Sequence, residues 1–363
     1  MTTELPPGLR RNPTDLRSDK SFDHVGRDAG SRGLIVGEVL ADLAERDDRI
    51  VAACADLKYV TRMSVFEARH PDRFFQFGIS ERNMLTAAAG MAASGLIPYA
   101  ATFACFSGIL GFECIRTDHA YPNMPVRTIA THTGIGMGFF GTSHHATEDI
   151  SALRAVAGLM VLSPPDAAAT EALLRATVGH PGPIYFRLGR GRDRDVYPQP
   201  PKDYLPGAPR VVRDGADLLL VATGTMVGES LAAAEDLASE HGIEATVLDV
   251  HTLKPLDGNA IATHAAAHSL VLTVEEHNVE GGLGTLTREA LADAGVATPV
   301  VKHGLRDEFA LIGPPTHLYS YYGLDPAGIS LIARRALEEG PHGELWREAD
   351  RRSVLERYAS PSR

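Results

Sequence analysis

Phe74-Phe75-Gln76-Phe77-Gly78-Ile79-Ser80-Glu81-Arg82-Asn83-Met84 is the stretch that decides the fold. Glu81 stands at the mouth of a helix rich in small residues, Met84-Leu85-Thr86-Ala87-Ala88-Ala89-Gly90-Met91-Ala92-Ala93-Ser94-Gly95. Side chains that small allow a helix to approach a sheet closely, and Gly95 is a stop signal. Leu96 to Phe103 reads as the next strand, and it ends in the paired aromatics of Thr102-Phe103-Ala104-Cys105-Phe106.

The same alternation extends outward from this stretch. Upstream, Leu34 to Leu43 has helical spacing and Ile50-Val51-Ala52-Ala53-Cys54 is a short buried strand. Downstream, a helix runs to about Tyr121, and Val126 to Thr131 is a strand. Four glycines then fall within Thr133-Gly134-Ile135-Gly136-Met137-Gly138-Phe139-Phe140-Gly141, a loop able to bring backbone close to a ligand. Strands alternating with helices predict an α/β chain with a mostly parallel sheet covered on both faces. Proline-rich Tyr197–Pro201 and Leu205–Pro209 mark a linker. A second alternating unit follows, with strands expected at Asp217–Ala222, Thr246–Val250 and Leu270–Val274. The expected organisation is an extended arm over 1–25, a first doubly wound domain over 26–200, a second over 205–342, and a charged tail with a surface helix over 343–363.

Composition narrows the function classes. The chain has 363 residues, 44% hydrophobic and 22% charged, enough for two well-filled cores. A net charge of −11 without an acidic block argues against nucleic-acid or anionic-membrane partners. Three cysteines, Cys54, Cys105 and Cys114, without Cys-x-x-Cys spacing read as reduced thiols in the cytoplasm. No stretch reads as a secretory signal or a membrane span.

Glu81 in its Gly-x-x-Glu context, with Phe103 and Phe106 one strand later, resembles the pyrimidine-binding domain of transketolase-like thiamine diphosphate enzymes. The resemblance implies that Glu81 shares a proton with the aminopyrimidine ring of thiamine diphosphate, general acid/base catalysis performed on the cofactor. It implies that Phe103 and Phe106 pack on that ring. The second unit resembles the transketolase C-terminal domain through Thr252–Asp257, Val274–Asn278, Gly281–Gly284 and Tyr322–Leu324. In that family this domain supports assembly and contributes little to chemistry.

Further site residues follow from the same resemblance. His132 and His144, twelve residues apart, match two histidines facing the substrate channel, with His144 expected to polarise or protonate the substrate carbonyl oxygen. Arg27, His132 and Arg190 match a sugar-phosphate clamp, for which the planar guanidinium fork is suited. Arg187, three residues from Arg190, competes for that role. Phe140 departs from the family: in Phe140-Gly141-Thr142-Ser143-His144 it replaces an aspartate that reads a substrate hydroxyl. Losing that hydrogen bond points to an acceptor that is less hydroxylated, or bulky and carrier-bound. Glu275-Glu276-His277 lacks a second histidine for a metal site. Asp214-Gly215 and Asp257-Gly258 lack the neighbours of the family's diphosphate motif, and no Gly-Asp-Gly occurs.

The chain thus looks like half of an active site: the C-terminal-half subunit of a split transketolase that moves a two-carbon ketol unit from a ketose (phosphate) to an aldehyde. Its partner would be the diphosphate-binding N-terminal-half subunit, which supplies the Mg²⁺ ligands. Closure of both pairings suggests a heterotetramer of two of each. Three alternatives stay open. They are the beta subunit of a 2-oxo acid dehydrogenase, half of a deoxyxylulose phosphate synthase, and a non-catalytic scaffold subunit.

Overall fold

A computed structural model describes residues 33–191 and 193–359. Arg27 and the expected arm over 1–25 lie outside the described residues. Six strands come first: β1 (Ile50–Cys54), β2 (Phe74–Gln76), β3 (Ile97–Phe103), β4 (Arg127–Thr131), β5 (Met160–Leu162) and β6 (Ile184–Arg187). After the linker come β7 (Arg210–Arg213), β8 (Leu218–Ala222), β9 (Ala245–Asp249), β10 (Thr252–Lys254), β11 (Val271–Asn278) and β12 (Val300–Leu305).

Both units are α/β, as the alternation predicts. One sheet runs β10-β5-β6-β4-β3-β1-β2 and the other β12-β11-β8-β9-β7. Pairing is parallel except at β10 on β5 and β7 on β9. Parallel strands carry helices on both faces, so their sequences are continuous apolar or small-residue runs. Accordingly β1, β3, β4, β8 and β9 are buried at every position. The helix Glu81–Ala93 lies on β3 and ends at Ser94, with Gly95 at φ +91°. Gly95 therefore marks the helix end as read.

Three features differ from the sequence reading. β10 belongs by sequence to the second unit, yet it pairs antiparallel with β5, Thr252 opposite Leu162, and extends the first sheet. The helix expected up to Tyr121 is irregular, with wide π turns over Phe106–Leu110 and Ile115–Ala120 on either side of Phe112–Cys114. Such turns concentrate at functional sites. The tail does form the helix Glu348–Ala359, but Leu345, Trp346 and Val354 are buried. Trp346 Nε1 donates to the Tyr321 carbonyl at 2.9 Å, which pins the tail to the second domain.

Candidate active site

The carboxyl edge of the first sheet collects the chemistry. In parallel α/β sheets that edge is where strands end and loops open a crevice. β3 ends at Phe103, β4 hands the chain to His132, and β6 leads through Leu188-Gly189 to Arg190. Glu81 opens its helix on the same edge, after β2.

Four of the expected aromatic and histidine residues form one cluster, with Phe140 at its rim. The Phe103 ring lies 4.5 Å from His132, 5.9 Å from Phe106 and 6.2 Å from His144, centre to centre. His144 lies 5.2 Å from Phe106 and 5.0 Å from Phe140. Phe103 is buried, Phe106 is half-buried, and Phe140 is 41% exposed. Cys105, between the two phenylalanines, senses Glu81: burial first, and then the charges of Asp149 and Glu81, push its thiol up to about 12.

Glu81 is only 7% exposed, and its carboxylate makes no hydrogen bond or ion pair among the described residues. The positive end of its helix favours an anion there, but a buried carboxylate normally has a direct partner. Such a carboxylate suits an external group that can share a hydrogen bond with it.

The two histidines are held differently. His132 adopts φ +61°, a left-handed backbone that non-glycine residues rarely take. Its N–H donates to the Gly189 carbonyl at 3.2 Å, and its Nδ1 is 3.0 Å from the Thr131 hydroxyl. His144 Nδ1 is 2.9 Å from the Ser143 hydroxyl, and burial lowers its pKa. It is therefore neutral at pH 7. His145, which the sequence assigns no role, is buried and pushed down to about 4, burial being the main cause.

The two arginines separate cleanly. Arg187 is buried and committed: its Nε donates to both Asp149 oxygens at 3.2 and 3.0 Å, and its guanidinium lies 3.6 Å from Glu276. Burial works against its charge, but the two carboxylates outweigh that and raise its pKa. Arg190 is half-buried and donates to the Gly136 carbonyl at 3.0 Å, inside the glycine loop. Arg187 is thus a framework residue, and Arg190 is the arginine that faces the loop.

Sequence reading missed the residues of the second domain that touch this loop. Glu276 Oε1 accepts from the Thr133 hydroxyl at 2.7 Å, and its other oxygen accepts from the Tyr319 hydroxyl. Glu275 accepts from the backbone N–H groups of Leu283 and Gly284 at 2.7 and 2.9 Å. His277 Nε2 accepts from Ile150 N–H at 3.2 Å. The three side chains that stand together in sequence thus serve three separate contacts. Among the described residues no cluster of ligands suits a metal ion.

Comparison with known proteins bears on the two domains. Residues 32–194 match the family model "Transketolase, pyrimidine binding domain", and residues 207–329 match "Transketolase, C-terminal domain". The putative transketolase C-terminal section of Methanocaldococcus jannaschii is 36% identical over 84% of this chain and 94% of its own. The 6-deoxy-6-sulfo-D-fructose transketolase subunit of a Clostridium species is 35% identical over 83% of this chain and 92% of its own. An apulose-4-phosphate transketolase chain of Phocaeicola vulgatus is 33% identical over 82% and 94%. Deoxyxylulose phosphate synthases also match, but the chain spans about half their length, 52% for that of Syntrophotalea carbinolica. Among solved structures, a split gene transketolase described as an inactive beta4 tetramer superposes with a TM-score of 0.74 at 37% identity, over 83% of this chain and 96% of its own. By both domains, in this order, the chain belongs to the transketolase family.

Proposed function

We propose that this chain supplies the pyrimidine-binding half of a thiamine diphosphate-dependent ketol-transfer site and acts as one subunit of a split transketolase. The observation that carries the reading is the buried carboxylate of Glu81, without a partner among the described residues, on the edge that holds the cluster of Phe103, Phe106, His132 and His144. A planar heterocycle bearing ring nitrogens fits such a place: apolar faces meet its rings and a carboxylate meets its edge. Thiamine diphosphate, when bound, supplies a nucleophilic carbon through which a bond beside a carbonyl is broken and remade.

The chain's own residues divide the remaining work. Glu81 holds a proton at a ring nitrogen, and burial away from water strengthens that hydrogen bond. Phe103 and Phe106 orient the ring and exclude water. His144, neutral and held at Nδ1 by the Ser143 hydroxyl, offers a proton to a substrate oxygen in the tautomer that carries it on Nε2. His132 and Arg190 contact the anionic end of a ketose phosphate, together with Arg27. Phe140 presents an apolar ring at the rim beside His144, which favours an acceptor with fewer hydroxyls there or one carried by a larger molecule. Relatives of similar length are named for 6-deoxy-6-sulfo-D-fructose and for apulose 4-phosphate, which supports a non-standard substrate here.

The diphosphate and its Mg²⁺ are assigned to a partner chain, in a two-plus-two assembly. The similar split-gene chain described as an inactive tetramer fits a requirement for that partner. A cytoplasmic location suits the three free cysteines, all buried. None of the described helices is long and apolar enough to cross a membrane.

Calorimetry with thiamine diphosphate and Mg²⁺ tests the reading, using this chain alone and mixed with a candidate diphosphate-binding partner. Tight binding only in the mixture is the expected result. Tight binding by this chain alone would place the diphosphate site here and refute the division of labour. No binding in either sample would favour a scaffold.

A further inference from the structure

The second domain grips the loop that carries the histidines. Thr133 follows His132 directly, and its hydroxyl donates to Glu276 Oε1 at 2.7 Å, across 143 residues of sequence. Glu276 is 1% exposed and stands in β11, with its second oxygen held by Tyr319 and its first 3.6 Å from Arg187. Gly134, at φ +57°, presses on the same carboxylate, and a Cβ there would collide with Glu276 Oε2. Gly134 also pairs with Ala146 in a two-residue antiparallel bridge, N–H to carbonyl at 3.1 and 2.9 Å, which closes the base of the loop beyond His144. The Ala146 carbonyl in turn accepts from Arg187, whose guanidinium reaches the Glu276 carbonyl as well.

Two facts make this arrangement more than packing. His132 takes a left-handed backbone, which is strained for a side chain of its size and persists only where neighbours over-determine it. Its own N–H bond to Gly189 and the N–H bond of Thr133 to Leu188 are long, 3.2 and 3.3 Å. The side-chain O–H bond from Thr133 to a fully buried carboxylate has the ordinary length for its type, 2.7 Å, whereas those two N–H bonds lie at the long end of theirs, and its acceptor is fixed by Tyr319, Arg187 and the backbone of Gly134.

We infer that Glu276 is a positioning residue of the site: through Thr133 it holds His132 in its left-handed turn, so the second domain sets where the substrate-facing imidazole points. The inference rests on the function proposed above for His132. Glu276 itself touches no substrate. It acts by removing the freedom of the turn, so that the imidazole meets the anionic end of the substrate without first being ordered.

Thr133→Val tests the tie, since it keeps the shape and removes only the donor; Thr133→Ser restores the donor without the methyl. Amide hydrogen exchange is followed by mass spectrometry on the chain alone. KM and kcat are measured on the complex with the diphosphate-binding partner, using fructose 6-phosphate as donor and glycolaldehyde as acceptor. Expected for Thr133→Val are exchange about tenfold faster over 132–146 with the rest of the chain unchanged, and KM for the donor raised about tenfold with a smaller change in kcat. Thr133→Ser should return both to the wild-type range. Exchange over 132–146 that matches wild type in Thr133→Val overturns the inference, as does an increase spread over the whole chain. A wild-type complex that turns over no donor counts against the proposed function, while the exchange measurement still decides the positioning role.

Discussion

Replacing Arg187 with methionine isolates the energetics on which the two domains meet. Arg187 is 2% exposed, and Asp149 and Glu276 are buried as fully, so none of the three charges has water to fall back on. In the native protein the guanidinium makes two bonds to Asp149 and reaches Glu276, while Tyr185 donates to Asp149 at 3.0 Å. Methionine keeps most of the stem's apolar contact and removes the charge. Two buried carboxylates then lose the cation they share, and breaking a buried pair from one side costs about 3–5 kcal/mol. For a chain of this size that corresponds to a fall in Tm of roughly 6–10 °C, at the low end of the shift per kcal/mol. Arg190→Met is the matched control. Its guanidinium is half-buried and gives one bond to a carbonyl, so its loss costs about 1 kcal/mol.

Scanning calorimetry at pH 8 and pH 5 reads both variants. The sign of the pH effect follows from Glu276, whose pKa is raised by burial and pulled back by Arg187. Without Arg187 it rises further. A carboxyl whose folded pKa exceeds its unfolded one favours the fold when protonated and loses that contribution as pH rises through the folded value. The Arg187→Met deficit should therefore shrink at pH 5. A deficit within about 1 kcal/mol of the Arg190 control at pH 8 would refute the reasoning, because the network would then hold no uncompensated charge.

The other predictions concern the site and its pH response. Glu81→Gln in the complex with the partner should lower ketol transfer by about 10²–10⁴-fold while leaving Tm near wild type, and near-normal turnover would sink the role given to Glu81. Phe140→Asp should raise kcat/KM for a polyhydroxy aldehyde relative to its deoxy analogue by about tenfold or more; an unchanged ratio would show that Phe140 does not face the acceptor. Glu275 has its pKa raised to about 7, mainly by burial, against the bonds from Leu283 and Gly284. Its contribution to stability is thus full below its unfolded value near 4.5 and is lost as pH rises through about 7. Glu275→Gln should flatten the dependence of Tm on pH across that window, and an equal slope in both proteins would contradict it.

Much of the fold was legible because parallel strands must be apolar on both faces. Ile50–Cys54 and Leu218–Ala222 read as buried strands for that reason and are buried throughout. β10 was not legible: three residues show no period, and Thr252 is placed by an edge offered by β5. The π turns after Phe106 left no mark either, since a change of hydrogen-bond register need not change which residues are apolar. At the site, Phe103, Phe106, His132 and His144 could be named together because their spacing matches a known pattern, and the structure does cluster them. Arg187 and Arg190 could not be told apart, as the carboxylates that claim Arg187 lie far from it in sequence, at Asp149 and Glu276.

The glycine loop shows how the same residues admit a different cause. In sequence, four glycines in nine residues suggest mobility, or backbone drawn up to a ligand. In the structure their missing side chains make room for the second domain. A Cβ on Gly138 would come within 2.7 Å of the Gly313 carbonyl and 2.9 Å of Pro315, and one on Gly141 within 2.7 Å of Ile312. Gly134 lies against Glu276, and the Tyr319 hydroxyl is 3.6 Å from where a Cβ on Gly136 would stand. The loop is therefore held from one side over its length, by residues of both β11 and the segment 312–319. The same stretch carries His132, His144 and Phe140, whose rings join the aromatic cluster. An alanine at 138 or 141 would strain the left-handed backbone and also push the domains apart. The glycines thus tie the packing of the second domain to the backbone that carries the two histidines of the candidate site.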